Sequence, residues 1–173
     1  MSKAVIAALL ERFPDDATAA PPGAGGDDCA FVEKERIVEV CRHLREVERF
    51  DLAPYLTAVD YLGQEPRFEL VYVLLSIPRK ARIRLRVKVP EGEGCVVPSV
   101  TSVWRGADWF ERYCFDMYGI RFTGHPDLRR LFMYDEFVGH PLRKDYPLRA
   151  RQPLVPEREI DERFRGPGPA SRD

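Results

Sequence analysis

Between Arg82 and Val89 the chain alternates without a break, Arg82, Arg84, Arg86 and Lys88 interleaving with Ile83, Leu85, Val87 and Val89. Successive side chains of a β-strand point to opposite faces, so the run reads as a strand with one buried face and one row of cations. Such a strand needs neighbours and a covering layer, which excludes a purely helical fold. Two further strands precede it. Tyr55 to Leu62 ends in a turn at Gly63-Gln64, and Arg67 to Ile77 is apolar on both faces in its latter half, as expected for an interior strand. Cys29 to Val32 reads as another short strand, and Ser99 to Ser102 as the start of one.

Helical periodicity supplies the cover. In Glu33 to Phe50, residues Ile37, Val40, Cys41, Leu44 and Val47 recur at helical spacing, with charged residues opposite. Trp104 to Gly119 is a second helix, with Gly119 as its stop and Trp109, Phe110, Tyr113 and Met117 as its apolar side. Ser2 to Phe13 is a short helix ended by Pro14, and the Ala-, Pro- and Gly-rich stretch Ala17 to Asp28 is a connector. From Arg121 onward, prolines and arginines are dense and periodicity fades. A stretch of that length cannot bury enough of itself to repay its ordering, so it is disordered or shaped by another protein.

The expected fold class is therefore α+β: a small mixed or antiparallel sheet packed with helices, then an extended C-terminal segment that is disordered or laid along another protein. The expected boundaries are residues 1–27 for the N-terminal helix and linker, 28–120 for the α+β domain, 121–165 for the docking segment, and 166–173 for a disordered tail. A chain cut after Ile120 is expected to fold and to lose its partner. With 173 residues, one domain and its extensions account for the length.

Charge is balanced, with 27 basic against 28 acidic residues, so no global field recruits nucleic acid or an anionic membrane. The basic row lacks interleaved aromatics for base stacking and is expected to pair with Asp60 or Glu69 on neighbouring strands. No apolar run approaches the roughly 20 residues that cross a bilayer. The first 13 residues carry Glu11 and Arg12 and make a poor signal peptide, so a cytoplasmic chain is expected.

Candidate chemistry is sparse. Cys29, Cys41, Cys95 and Cys114 are spread without a C-x-x-C pair, which argues for buried free thiols over cluster or zinc ligation. His125 and His140 each sit between glycine and proline, where the turn is rigid and structural hydrogen bonding is the expected role. A nucleophilic Cys114 with His125 as its base is the rival enzymatic reading, and mid-helix packing among aromatics argues against it.

Three blocks carry the identity: Ala107-Asp108-Trp109-Phe110-Glu111-Arg112 with Asp116-Met117-Tyr118-Gly119-Ile120; Gly124-His125-Pro126-Asp127-Leu128-Arg129-Arg130; and Gly139-His140-Pro141-Leu142-Arg143-Lys144-Asp145-Tyr146-Pro147. In this order they closely resemble the C subunit, also called the 30 kDa subunit, of NADH–quinone oxidoreductase (respiratory complex I). The family usually has an acidic residue where Tyr113 stands. The resemblance extends to the matching subunits of membrane-bound hydrogenases and F420-type dehydrogenases.

The resemblance implies a structural subunit of the peripheral arm that binds no cofactor itself; FMN, iron–sulfur clusters and quinone belong to partner subunits. It implies docking on the quinone-site subunit (the D subunit), with the B and I subunits as neighbours, on the cytoplasmic face of the bacterial membrane, reached only through the complex. The partner-binding residues so implied are Glu111, Arg112, Asp116, His125, Arg129, Arg130, His140, Arg143, Lys144, Asp145 and Tyr146, the cations serving partner carboxylates or carbonyls. Trp109, Phe115, Tyr118, Phe132 and Tyr134 are candidate anchors.

Overall fold

The alternating run is the middle strand of a five-stranded sheet. A computed structural model describes residues 2–22, 26–149, 151, 152 and 154. The sheet contains β1 (Ala17–Ala20), β2 (Asp28–Val32), β3 (Leu52–Asp60), β4 (Phe68–Ser76) and β5 (Ala81–Val89), in the order β1-β2-β5-β4-β3. β2 and β5 run parallel; the other neighbours are antiparallel. Ile83, Leu85, Val87 and Val89 have no exposed surface, while Arg82 and Lys88 face solvent. β4 is interior, as its two-sided apolar run implied, and lies between β5 and edge strand β3.

Three helices, α1 (Ser2–Arg12), α2 (Ile37–Glu46) and α3 (Ala107–Tyr118), feed one core with the inner face of the sheet. The α+β class expected from the sequence is the class observed. β6 (Val96–Pro98) pairs in parallel with β7 (Arg121–Thr123), which brings the two chain segments flanking α3 side by side.

Several boundaries differ from the expectation. The presumed connector contains β1, whose Ala17–Ala20 pair antiparallel with Val32–Cys29. Ala-Thr-Ala-Ala has little strand propensity, and the edge of the sheet imposes what the residues do not prefer. α2 is shorter than its periodic stripe. It opens in a 3-10 turn at Lys34–Arg36 and closes at Glu46, leaving Val47 56% exposed. The chain reverses through Arg49 at φ 61°, and the Phe50 N–H returns to the Leu44 carbonyl at 2.9 Å. That reversal buries Phe50 completely, and Trp104 Nε1 donates to its carbonyl.

The face α3 buries is not its most aromatic one. Ala107, Glu111, Cys114 and Tyr118, at helical spacing, point into the core, while Trp109 is 59% exposed. Gly119 ends the helix at φ 77°, as expected, and here glycine is needed twice over. A Cβ at that position would also lie 2.5 Å from His140 Nε2 and 2.6 Å from an Arg143 nitrogen. Among the described residues, no helix is long and apolar enough to cross a membrane.

The middle strand should be the least forgiving element. Leu85→Ala, at a site with no exposed surface, is expected to cost about 2–5 kcal/mol, read as a lowered urea midpoint with an unchanged slope.

Candidate partner interface

The last turn of α3 organises the chain that follows it. Asp116 has no exposed surface, yet its carboxylate is fully used: one oxygen accepts the N–H groups of Leu131, Phe132 and Met133 at 3.1, 2.7 and 2.9 Å, and the other accepts Arg130 at 2.9 Å. Burial opposes its charge, but these donors outweigh burial and hold its pKa below the usual aspartate value. Arg130 also donates to the Phe137 and Gly139 carbonyls, so one carboxylate–guanidinium pair fixes two turns of irregular chain.

The Gly139–Arg143 block then caps the helix from outside. His140 Nδ1 donates to the Asp116 carbonyl at 2.9 Å, the Leu142 N–H to that of Met117 at 3.1 Å, and Arg143 Nε to that of Tyr118 at 2.6 Å. The Gly119 N–H takes the Phe115 carbonyl at 2.9 Å. All four carbonyls that a helix end leaves unpaired are thus satisfied. Burial, with Arg143 and Arg130 nearby, keeps the His140 pKa below the ordinary histidine value, so the ring serves as a neutral donor.

A third tie joins the segment to the sheet. Arg67, with 3% of its side chain exposed, forks onto Asp60 at 2.9 Å through two nitrogens and reaches Asp145 at 2.7 Å and Glu91 at 2.6 Å. The Lys144 N–H donates to Asp60 at 2.7 Å. The guanidinium beside them holds the pKa values of both Asp60 and Asp145 low. Phe137 stacks on Tyr146, 5.9 Å between centroids, and Tyr146 meets Gln152 through its hydroxyl.

Glu111, also without exposed surface, is bound differently. It accepts Val100 N–H at 2.7 Å and Ser99 Oγ at 2.6 Å and has no cation partner at ion-pair distance other than the His125 ring, at 4.0 Å, among the described residues. Burial pushes its pKa up to about 7. His125 Nδ1 accepts the Asp127 N–H, so Nε2 carries a proton and faces the Asp108 carbonyl at 3.3 Å. Arg112 stacks over Trp109 and donates to the carbonyls of Arg129 and Arg130.

The residues expected to meet a partner therefore divide. Glu111, Arg112, Asp116, His125, Arg130, His140 and Arg143 spend their polar groups within the chain, because a buried ion or donor must find its complement locally. Asp145 is half-exposed but tied to Arg67, and Tyr146 packs on Phe137. Arg129, with 70% of its side chain exposed, makes only a surface pair with Asp127 at 2.9 Å, and the Lys144 side chain is exposed. Residues 121–149 belong to the folded body, so a cut after Ile120 would strip partners from Asp116, Asp60 and Arg67. Arg67 and Asp60 are invisible as an anchor in the sequence because their partners lie 78 and 84 residues further along the chain.

Beside exposed charges such as Asp135, Glu136 and Lys144, this pinned segment and α3 turn large apolar side chains outward. Phe132 and Val138 are each 65% exposed, Trp109 59%, Leu142 45% and Tyr134 41%. Phe132 packs edge-on against Tyr113 of α3, which joins helix and segment into one surface. Cys114 is fully buried, burial raises its thiol pKa, and the described residues include no cluster of three or more potential metal-ligating His, Cys, Asp or Glu side chains. Burial disfavours the thiolate that a Cys–His arrangement would need.

Comparison with known proteins follows the same lines. Residues 30–152 match the family described as the 30 kDa subunit of respiratory-chain NADH dehydrogenase. The C subunit of NADH-quinone oxidoreductase from Geobacter sulfurreducens is 49% identical over 135 residues, 78% of this chain and 80% of the relative. The protein of the same name from a Roseiflexus species is 48% identical over 151 residues, 84% and 86% of the two chains. A chain of an archaeal membrane-bound sulfane sulfur reductase shares the fold at a TM-score of 0.69 and 22% identity, covering 84% of this chain and 85% of its own.

Two variants test the two buried carboxylates of α3. Asp116→Ala leaves three N–H groups and Arg130 without their acceptor; about 3–5 kcal/mol is expected to be lost, with residues 124–149 becoming the first site of proteolysis. For Glu111 the folded pKa of about 7 lies above the ordinary 4.5, so its stabilising contribution is fully present below pH 4.5 and is lost as pH rises through 7. Glu111→Gln should flatten the stability–pH curve in that window; an unchanged slope in urea melts across it would refute the assignment.

Proposed function

Because the chain belongs to the 30 kDa subunit family of respiratory-chain NADH dehydrogenase, we propose that it is a structural subunit of the peripheral arm of an NADH:quinone oxidoreductase, docking on the quinone-site (D) subunit. It performs no redox step and holds no cofactor; flavin, iron–sulfur clusters and quinone sit in its neighbours, with the B and I subunits adjoining. Its association with the cytoplasmic face of the membrane is through the complex.

One observation carries this reading. The segment that holds Phe132, Tyr134, Val138 and Leu142 is irregular in backbone yet locked by Asp116 and Arg67, and it turns large apolar side chains outward. Exposed aromatics on a pre-ordered frame are the makings of an interface hot spot, because little entropy remains to be lost on binding. Arg129 and Lys144 stand at its margin as cations for partner carboxylates. The cofactor-free reading draws support from the cysteines, all four buried and free.

The test separates docking from folding. Phe132→Asp changes a side chain that is 65% exposed and meets Tyr113 only edge-on, so the isolated full-length chain should stay folded and lose no more than about 1.5 kcal/mol, the worth of one aromatic pair. Recovery of the quinone-site partner with the tagged chain should fall by at least an order of magnitude, consistent with loss of about 2 kcal/mol, roughly thirtyfold in affinity, at a hot spot. Undiminished co-purification would overturn the proposal.

A further inference from the structure

The outer face of the sheet carries a second surface, which at its β3 edge adjoins α3, where Tyr55 meets Phe110 edge-on. On the outer face of the sheet, the register aligns Leu52, Leu75 and Arg82 in one row; Tyr55, Val73 and Arg84 in the next; then Thr57, Val71, Arg86 and Phe31; then Val59, Glu69 and Lys88. The face is split lengthwise. Its β3–β4 half is mostly apolar and its β5 half is basic.

The apolar half lies outside the protein's own core. Val59, Val71, Val73 and Leu75 are only half-buried, none joins the core cluster, and Tyr55 and Leu52 are 49% and 44% exposed. The basic half is under-neutralised. Asp27 is shared by Arg82 and Arg84, each at 2.7 Å, and Glu69 takes Arg86 at 2.7 Å. Lys88 rests 5.0 Å from the Phe31 ring and has no carboxylate partner among the described residues. Four cations against two carboxylates leave a local positive excess in a chain of formal net charge −1. Arg82 keeps 52% of its side chain exposed.

We propose that this face is a second docking surface, which receives an amphipathic helix with an acidic flank from a neighbouring subunit other than the one that covers Phe132. A helix is about 10 Å across and strands lie about 4.8 Å apart, so one helix spans two strands. Laid along β4, it sets an apolar stripe on Leu75, Val73 and Val71 and brings its flanking carboxylates over Arg82 and Lys88. A nucleic acid would leave the apolar half of the face uncovered, because only the β5 half offers cations to phosphates.

The experiment uses the assembled complex, with the photo-reactive residue benzoylphenylalanine placed at Val73 and, in a separate preparation, at Phe132. At Val73 the expected product is a cross-link to an amphipathic, acidic peptide of another subunit, distinct from the one captured at Phe132. Its yield should fall about tenfold with Arg82→Glu plus Lys88→Glu, be retained with Arg82→Lys plus Lys88→Arg, and decline as salt is raised on the parent complex. Several outcomes at Val73 overturn the proposal: no cross-link, or one to this chain's own C-terminal residues, to a second copy, to lipid or to a nucleic acid. A yield indifferent to both charge and salt does so too. The Phe132 arm reports separately on the docking segment, so either surface can fail without the other.

Discussion

A carboxylate can sit in a protein interior only where donors replace the water it loses, and the Asp116 side chain meets that condition by recruiting chain from 14 to 17 positions away. The rest of the C-terminal architecture hangs on this. Once residues 131–133 are drawn onto the last turn of α3, Arg130 can hold the next turn, and Gly139–Arg143 falls within reach of the open carbonyls of the helix. The Arg67 cluster closes the far end against the sheet. None of these bonds needs a large net gain to be effective. A buried ion pair discriminates strongly against arrangements that leave one partner unpaired, which suits it to fixing the register of a segment with no helix or strand of its own.

The same reasoning explains which parts of the fold are legible in the sequence. β5, β4 and the α3 stop at Gly119 are readable because strand alternation and helix termination are local signals. The start of α2, the end of its stripe at Val47 and the strand at Ala17–Ala20 are not, because each depends on what lies across space: a sheet edge for β1, and for α2 the left-handed turn at Arg49 that buries Phe50. On α3, hydrophobicity points to Trp109 as a core residue and to Glu111 as a surface one. The structure reverses both, and the signal that could tell them apart, Ser99-Val100 as donors to Glu111, lies outside the helix.

The motif residues show the same limit from the functional side. The three blocks suffice to name the family, and as sequence they suggest that most of their charged members point outward. Their hydrogen bonds point inward. Gly-His-Pro-Leu-Arg is the C-cap of α3, and Arg129-Arg130 splits into one exposed and one internal cation. Phe31 also stands on the basic face of the sheet, under Arg86 and Lys88, where the strand's own alternation places no aromatic. Residues such as Asp116 and His140 act on any partner only through the shape they give to Phe132 and Val138.

A division of labour follows between charge and apolar surface. Internal ion clusters set the shape of the docking segment before any partner arrives, and apolar side chains on that shape are left to supply affinity. The arrangement lowers the entropy lost on association, since the irregular backbone is already ordered. It also places the sensitive chemistry away from the interface. A change at Phe132 acts on contact, whereas a change at Asp116 acts on the frame and reaches the interface only by releasing it. The outer sheet face is built the other way round: its backbone is paired on both sides of β4 and β5, and its cations are partly exposed and outnumber the carboxylates that meet them. One surface has its ionic bonds largely closed within the chain and the other leaves them partly open, and the two proposed interfaces rest on that contrast.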